Sequence, residues 1–184
     1  MKVILLQGTP DPLKAVAKAA RLCYSSLDII DLVNTDNAQD EAELVTRIVS
    51  SGHHSVLEHA SFTFGIEGIS RATSHQLVRH RIASNSQQSQ RYVKQKGQFP
   101  YVIPPTIQNN SMLRPEYENL MDAIQRLYDK CLSQGIPAED ARYLLPNACE
   151  TKIITTMNAR ELRHFFRLRC CRRAQWEIRE MAKQ

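Results

Sequence analysis

Acidic residues are missing from a long central segment of this chain. Residues 68–115 contain no aspartate or glutamate, although the whole chain has 19 of them. This acid-free segment carries cations without local counter-charges, namely Arg71, Arg79, Arg81, Arg91, Lys94, Lys96 and Arg114, together with His75 and His80. One guanidinium group can donate hydrogen bonds to two phosphate oxygens at once. The pattern therefore predicts a site for a multiply charged anion, and a solvated basic loop is the alternative.

Glycine-rich phosphate-binding motifs are also absent. Neither G-x-G-x-x-G nor a G-x-x-x-x-G-K-[ST] loop occurs in the chain, so two common backbone cradles for nucleotide phosphates are excluded. If a dinucleotide binds, side chains hold its phosphates. Between residues 79 and 92, serines and glutamines lie between arginines and supply donors and acceptors that could recognise a heteroaromatic ring.

Paired cysteines and long apolar runs are missing as well. The 5 cysteines show no C-x-x-C spacing, which favours reduced thiols and a cytoplasmic protein. The apolar run at residues 3–6 is too short for a signal peptide or a membrane span. The final helical pattern has no stop signal, so we expect the chain to be cut short within or just after that helix.

The composition is that of an ordinary globular protein, with 42% hydrophobic and 23% charged residues. A formal net charge of +5 permits binding of nucleic acid, a nucleotide or an anionic cofactor. A basic RNA-binding module is one candidate. Only 7% of the residues are aromatic, and no RNP-like or G-x-x-G pattern is present to stack or clamp bases. We therefore expect no nucleic-acid polymer as a partner.

The hydrophobic pattern predicts the α+β class, with a small antiparallel sheet flanked by long helices in a single domain, residues 1–184. Strands are predicted at residues 3–7, 62–66 and 151–157, and an extended piece at 99–107. Asp11 is predicted to cap the first helix. The predicted helices cover residues 12–23, 40–49, 70–78, 112–134, 137–145 and 159–184.

One arginine lies in the middle of an apolar helical face. At about 100° per residue, Arg169 falls on the same stripe as Leu162, Phe165, Phe166 and Trp176. A half-buried charge needs a partner, because an unpaired one costs several kcal/mol. That partner is either a carboxylate such as Glu180 or an anionic ligand in a half-dry cleft. Together with the acid-free segment, the pattern favours the ligand.

Histidines cluster at residues 53–59, but their spacing does not fit a metal site. His53, His54 and His59 accompany Glu58, whereas the zinc motif H-E-x-x-H needs two histidines four residues apart on a helix. We predict no metal and no metal hydrolase. A cap is the better interpretation, with Ser55 at the start of a turn and Glu58 completing a capping box.

Ser89 is a possible nucleophile, but the sequence around it supplies no oriented base. Ser-His-Asp chemistry needs a carboxylate that aligns the histidine, and none lies nearby in sequence. Ser89 is therefore predicted to orient a substrate through its hydroxyl. No cysteine lies in the acid-free segment, although Cys170 and Cys171 follow Arg169.

Several blocks, in order, resemble the flavin-dependent thymidylate synthases. They are Arg79-His80-Arg81 followed by seven residues and Ser89, then Arg91-Tyr92; Gly52-His53 with Glu58-His59 and Phe62-Thr63-Phe64; Gln76; Asn158-Ala159-Arg160; and Arg169 with Ala174-Gln175-Trp176-Glu177-Ile178. The resemblance extends over essentially the whole chain. It implies that the protein makes thymidylate from deoxyuridylate (dUMP), with 5,10-methylenetetrahydrofolate as carbon donor and FAD, reduced by NADPH, as hydride carrier. It also implies a homotetramer with active sites at subunit interfaces.

The resemblance assigns roles to individual residues. Those expected to contact FAD are His53, Ser55, Arg79, His80, Arg81, Gln87, Asn158, Arg160 and His164. Those expected to hold dUMP are Gln76, Arg79, Gln87, Gln88, Ser89, Gln90, Arg91, Arg142 and Arg169. Arg169 is the expected catalytic residue, polarising the uracil and favouring ionisation at its N3.

Three residues depart from the family pattern. Several relatives have glutamate at the position of Gln87, an aromatic residue at that of Asn85 and asparagine at that of His164. Gln87 still donates and accepts hydrogen bonds but carries no charge, so it is not expected to act as a base. His164 could replace the hydrogen bonds of an asparagine, with a different response to pH.

Overall fold

A computed structural model describes residues 1–34, 38–95 and 97–184. Lys96, one of the cations of the acid-free segment, lies outside the described residues. Three described α-helices precede the second strand of the sheet, where two were expected, and long helices follow it. The predicted α+β class is confirmed.

The described strands form one small antiparallel sheet. They are β1 Lys2–Gly8, β2 Ser61–Ser70, β3 Ala83–Gln87 and β4 Glu150–Asn158. Their order in the sheet is β1-β2-β4-β3. The strands predicted at residues 3–7, 62–66 and 151–157 are confirmed as β1, β2 and β4, each longer than predicted. No strand was predicted at β3, where the residues are Ala-Ser-Asn-Ser-Gln.

The helices account for most of the remaining described chain. They are α1 Pro12–Leu22, α2 Ile29–Asn34, α3 Ala38–Ser50, α4 Arg71–Leu77, α5 Pro105–Gln108, α6 Leu113–Ser133, α7 Ala138–Ala141, α8 Ala159–Arg169 and α9 Trp176–Lys183, with 3-10 helices at His54–His59 and Arg142–Leu144. The long helix predicted at residues 112–134 is confirmed as α6. The sequence pattern missed α2, and it missed α5 inside the predicted extended piece.

The residues group into two compact units. The first unit consists of Met1–Lys2, Ile66–Arg79 and Ser86–Ile153, and the second of Val3–Gly65, His80–Asn85 and Ile154–Gln184. A single catalytic domain over residues 1–184 therefore stays a prediction. Each unit has its own apolar core. That of the first unit contains Phe99, Met121 and Cys149, and that of the second contains Val16, Ala20, Ile48, Val56 and Ala60.

In the first unit, α6 is held by polar contacts as well as by apolar packing. Its buried residues are Met121, Gln125 and Tyr128. The amide side chain of Gln125 accepts a hydrogen bond from the backbone N–H of Phe99 at 2.9 Å. This bond satisfies a backbone donor that would otherwise be buried without a partner. Of the apolar residues that predict this helix, Tyr128 is buried, whereas Leu113, Leu120 and Leu127 are exposed.

Asp11 occupies the N-cap position of α1, as predicted, but its side chain does not cap the helix, and the cap predicted at Ser55 is wrong. Asp11 lies in the left-handed region, with φ of 44°, and its side chain makes no capping hydrogen bond. Pro12 still occupies the first turn, as expected, because its missing N–H costs nothing there. The 3-10 helix at His54–His59 begins after His53, so Ser55 lies inside it and does not cap it.

The single C-terminal helix predicted at residues 159–184 is also wrong. α8 ends at Arg169 and α9 begins at Trp176. Gln175 starts the second helix, because its side-chain oxygen accepts from the backbone N–H groups of Glu177 and Ile178, both at 3.1 Å. Glutamine is not among the favoured capping residues, which is why the break is hard to see in the sequence.

Candidate functional site

The Arg79-His80-Arg81 motif follows the end of α4. Ser70 caps this helix, and its hydroxyl accepts from the backbone N–H of Thr73 at 3.1 Å. Because α4 ends at Leu77, the motif lies just beyond the helix. Its two arginines are exposed and its histidine is buried. Arg79 belongs to the first unit, and His80 and Arg81 belong to the second.

In the second unit, His80 is bonded through both of its ring nitrogens. Nδ1 lies 2.9 Å from Oε1 of Glu161. Nε of Arg169 donates to Nε2 of His80 at 3.0 Å. Because a guanidinium can only donate, Nε2 must be the unprotonated acceptor, and the proton of the neutral ring is on Nδ1. The three residues form a chain from carboxylate to imidazole to guanidinium.

This arrangement favours the neutral form of His80. Burial lowers the pKa of His80 below its ordinary value, and the positive charge of Arg169 acts in the same direction. The hydrogen bond to Glu161 opposes the decrease. Since burial is the largest influence, the neutral ring that Arg169 needs as an acceptor is favoured.

Helix α8 brings the partners of His80 to one face. Asn158 caps the helix by accepting from the backbone N–H of Glu161 at 2.9 Å. Glu161, Phe165 and Arg169 follow at four-residue intervals and so share a face. The ring of Phe165 meets that of His80 edge to face, with the centroids 5.0 Å apart.

The apolar stripe predicted around Arg169 is present only in part. Phe165 is buried, but Phe166 is 43% exposed. Trp176 belongs to α9, so helical spacing from Arg169 does not apply to it. The carboxylate suggested for Arg169, that of Glu180, accepts from Nζ of Lys183 at 2.9 Å. The half-buried position of Arg169 is as predicted.

His80, Glu161 and His164 also form a group that could hold a metal, because their ligand atoms all lie within 4.8 Å of one another. A metal ion would compete with existing bonds, since His80 uses one ring nitrogen for Glu161 and the other for Arg169. This group differs from the histidine cluster at residues 53–59. Sequence reasoning missed Glu161, because its partner His80 is distant in the chain.

A cleft of about 670 Å³ opens beside this chain of residues in the second unit. Its lining is rich in cations and hydrogen-bond donors and comprises His54, Leu57, Glu58, Ile82, Asn158, Arg160, Glu161, Arg163, His164 and Arg167. Three of the predicted cofactor residues, Asn158, Arg160 and His164, are therefore brought together. Arg160 donates to Oε1 of Glu58 at 2.5 Å in an exposed ion pair.

Other predicted cofactor residues of the second unit lie outside that lining. His53 is exposed, and its Nδ1 lies 3.1 Å from the hydroxyl of Tyr24. Ser55 and Arg81 are also exposed. Gln87, in the first unit, donates from Nε2 to the hydroxyls of Ser74 at 2.8 Å and Thr151 at 3.1 Å. Those bonds orient its amide, so its carbonyl oxygen faces away from the two hydroxyls.

The predicted substrate residues lie in the first unit, apart from Arg169. They are Gln76, Arg79, Gln87, Gln88, Ser89, Gln90, Arg91 and Arg142. Glu139 joins two of them. Its carboxylate accepts from Nε of Arg91 at 2.6 Å, and its backbone carbonyl accepts from Nε of Arg142 at 3.1 Å. Two guanidiniums are therefore held near one acidic residue.

The segment before Arg91 makes several hydrogen bonds. The hydroxyl of Ser89 accepts from the backbone N–H of Arg91 at 3.1 Å. The backbone N–H of Gln88 donates to the carbonyl of Lys152 at 2.9 Å. The side chain of Gln90 donates to Sγ of Cys149 at 3.6 Å, and burial raises the pKa of that thiol. Cys149 therefore remains a neutral thiol, which argues against a thiolate nucleophile here.

No helix in the described part of the chain is long and apolar enough to cross a membrane.

Comparison with known proteins finds similarity over almost the entire chain. The family model described as thymidylate synthase complementing protein matches residues 4–184. The chain is 61% identical to the flavin-dependent thymidylate synthase of Geobacter sulfurreducens, over 99% of this chain and 79% of that protein. It is 49% identical to the one from Clostridium tetani, over 100% and 80%. For the enzyme of Pyrococcus furiosus the identity is 45%, over 99% and 76%.

Proposed function

The chain belongs to the thymidylate synthase complementing protein family, the flavin-dependent thymidylate synthases, and we propose that its two sets of site residues serve the two ligands of that reaction. The reaction is the reductive methylation of dUMP to thymidylate. It uses 5,10-methylenetetrahydrofolate as carbon donor and FAD, reduced by NADPH, as cofactor. The observation that supports the assignment best is the cationic cleft beside Glu161, His80 and Arg169.

The residues of this cleft fit a flavin nucleotide. A volume of about 670 Å³ is within the range of small-molecule sites. Arg160, Arg163 and Arg167 supply charge for a pyrophosphate, and Asn158 and His164 supply the donors and acceptors that a flavin ring needs. When bound, the flavin supplies hydride transfer. The protein contributes binding and orientation, which is consistent with the lack of a G-x-G-x-x-G motif.

His80 has a supporting role in this proposal. Both of its ring nitrogens are engaged within the second unit, so its contact with FAD would involve the backbone or the ring carbons. Arg79 and Arg81 are exposed and suited to the flavin phosphates. Gln87, His53 and Ser55 complete the proposed flavin contacts, as the family resemblance implies.

The residues of the first unit would bind dUMP. Arg91 and Arg142 are the proposed phosphate ligands, and Glu139 keeps both of them ordered. A phosphate can replace the exposed carboxylate of Glu139 at Arg91, because an exposed ion pair contributes little stability. Gln76, Gln87, Gln88 and Gln90 supply amides for the base and sugar.

Arg169 is the proposed catalytic residue. A uracil ring that loses its N3 proton becomes negatively charged, and a fixed guanidinium in a partly desolvated site stabilises that charge. A guanidinium has donors and no acceptor, so Arg169 is not proposed to act as a base. Ser89 is proposed to orient the substrate, because its hydroxyl accepts from the backbone of Arg91.

The assembly is proposed to be a homotetramer with active sites at subunit interfaces, working in the cytoplasm. Many large apolar side chains are exposed on the chain taken alone, among them Leu120 and Leu127 of α6. Such exposure is typical of surfaces that bind another chain. The proposed partners are dUMP and the folate, with no membrane and no nucleic-acid polymer.

The proposed function is tested by purifying the protein and following both colour and turnover. We expect a yellow protein that releases FAD on denaturation and converts dUMP to thymidylate with NADPH and methylenetetrahydrofolate. A colourless protein that binds RNA, with an affinity that falls steeply as salt rises, would instead support the RNA-binding alternative. A protein that binds flavin but forms no thymidylate would be a flavoprotein that does not catalyse the proposed reaction.

A further inference from the structure

Glu161 is a buried carboxylate with no role in the motifs or in the family resemblance described above. It is 6% exposed, and its partner His80 is 4% exposed. A buried carboxylate is costly unless it is hydrogen-bonded. Here that cost is offset by the bond to His80 and by the position of Glu161 in the first turn of α8, near the positive end of the helix dipole.

We propose that Glu161 is a positioning residue, which acts through His80 to fix the orientation of Arg169 at the pyrimidine. The proposal rests on the proposed function in assigning Arg169 to the substrate. It adds to that function a buried carboxylate whose hydrogen-bond partner is His80.

The tautomer of His80 is the first step of the argument. A neutral imidazole can carry its proton on either nitrogen, and only the Nδ1–H form leaves Nε2 able to accept from Arg169. A carboxylate is an acceptor only, so Glu161 selects the proton on Nδ1. Without that acceptor, the ring could carry its proton on Nε2, and two donors would face each other across 3.0 Å.

The orientation of Arg169 is the second step. A guanidinium is planar, so a bond at Nε sets the plane in which its two terminal nitrogens lie. His80 can impose that plane because it is itself fixed, by Glu161 on one side and by the ring of Phe165 at 5.0 Å. Misplacement of a group that contacts the reacting ring by about 1 Å can cost about a hundredfold in rate.

Two substitutions separate this role from simple structural support. Glu161→Gln keeps an oxygen that can accept from Nδ1–H, whereas Glu161→Leu removes it. We expect Glu161→Gln to retain most of the wild-type kcat and Glu161→Leu to lose about a hundredfold. Because Glu161 also lines the proposed flavin cleft, kcat of both variants is compared with that of the wild type at saturating FAD. The matched control is Glu177→Leu, which removes a buried first-turn carboxylate from α9 and should lower thermal stability without lowering kcat comparably.

The pH profile is a readout that structural support would not change. The groups that face His80 are Glu161, Arg169 and His164 of α8. Protonation of His80 removes the acceptor of Arg169, so kcat should fall as pH falls through the pKa of His80. Glu161→Gln removes a negative charge that favours the imidazolium. The acid limb of its kcat profile should therefore move to lower pH, and an unmoved limb contradicts the proposal.

The tautomer itself can be measured in the holoenzyme. In protein labelled with 15N-histidine, the signals of His80 are assigned by their loss in His80→Gln. We expect an Nδ1–H tautomer in the wild type and in Glu161→Gln, and its loss in Glu161→Leu. An Nε2–H tautomer in the wild type would overturn the proposal. If Glu161→Leu does not fold, the proposal is tested by the position of the acid limb in the kcat profile of Glu161→Gln. If Arg169→Ala retains turnover while the tautomer is as expected, the assigned role of Arg169 fails and the bond network stands.

Discussion

Arg169 combines a charge, a half-buried position and a fixed bonding partner in one side chain. Replacing it with alanine should lower kcat by about a hundredfold or more, because removing one preorganised donor from a developing anion costs that much. FAD should remain largely bound, since Arg160, Arg163 and Arg167 line the proposed flavin cleft independently. Single-turnover formation of thymidylate, with the flavin absorbance as an internal control, checks both expectations. Turnover near the wild-type rate would contradict the role assigned to Arg169.

Ser89 gives a second residue-scale prediction. Its hydroxyl accepts from the backbone N–H of Arg91 at 3.1 Å, a bond that orders the chain just before a proposed phosphate ligand. Ser89→Ala should therefore raise KM for dUMP by several-fold and retain measurable kcat, because one hydrogen bond contributes about 1 kcal/mol. Initial rates over a range of dUMP concentrations test this. Complete loss of kcat with dUMP still bound would restore the nucleophile interpretation.

Individual residues differed in how well the sequence revealed them. The half-buried position of Arg169 could be predicted, because helical spacing placed it on the face of the buried Phe165. Glu161 could not, because its meaning depends on His80, which lies in a separate segment. The arginine motif at residues 79–81 was visible as a cluster of charge, but burial of its central histidine needed the fold.

At the scale of one element, strand β4 offers a matched pair of threonines. Thr151 and Thr155 are equally buried, at 3%, and lie on the same face of the strand. Thr151 accepts from the side chain of Gln87 at 3.1 Å. Within the described residues, the hydroxyl of Thr155 has no hydrogen-bond partner. The two hydroxyls should therefore affect stability in opposite directions.

Thr155→Val should raise the free energy of unfolding by about 1 kcal/mol, because it removes a buried polar atom that makes no hydrogen bond. Thr151→Val should lower it by a similar amount, because it leaves the amide of Gln87 with one acceptor fewer. In thermal unfolding, the Tm of Thr155→Val should lie above that of the wild type and the Tm of Thr151→Val below it, each by about 2–4 °C. Destabilisation by Thr155→Val would show that its hydroxyl has a partner in solution, such as a buried water.

Whole elements were predictable where their period is strong. The apolar residues of α6 recur at helical spacing, and β1 and β4 are rich in branched residues. β3 was missed because Ala-Ser-Asn-Ser-Gln has neither apolar alternation nor β-branched residues. Its pairing in the sheet overrides that weak propensity, and the bond from Gln88 to the carbonyl of Lys152 continues beyond its end.

At the scale of the whole molecule, charge and exposed apolar surface point to different partners. The formal net charge of +5 fits anionic ligands, while apolar side chains are exposed on several elements, including Leu5 of β1 and Ile30 of α2. The sequence indicated the first property directly, through its acid-free segment. It could not reveal the second, because the exposure of an apolar residue depends on which of its neighbours the fold covers.

Helix α6 provides the last prediction. Leu113, Leu120 and Leu127 recur every seven residues, so they share one exposed face, while Met121 and Tyr128 are buried on another. If this stripe contacts another copy of the chain, a charge in its middle should separate the copies, because an unpaired charge at an apolar interface costs several kcal/mol. Leu120→Glu should therefore shift the protein from the proposed tetramer to smaller species in size-exclusion chromatography with light scattering, and thymidylate formation should fall with it.

Arg126→Gln is the matched control for this experiment. It changes the net charge by the same amount, at an exposed position of the same helix that lies off the stripe. The control should remain a tetramer and stay active. Because the active sites are proposed to lie at subunit interfaces, loss of activity in Leu120→Glu should follow dissociation on dilution. If the Leu120→Glu variant remains a tetramer, α6 does not lie in the subunit interface. If the wild-type protein is a monomer with full activity, the active site is not shared between subunits.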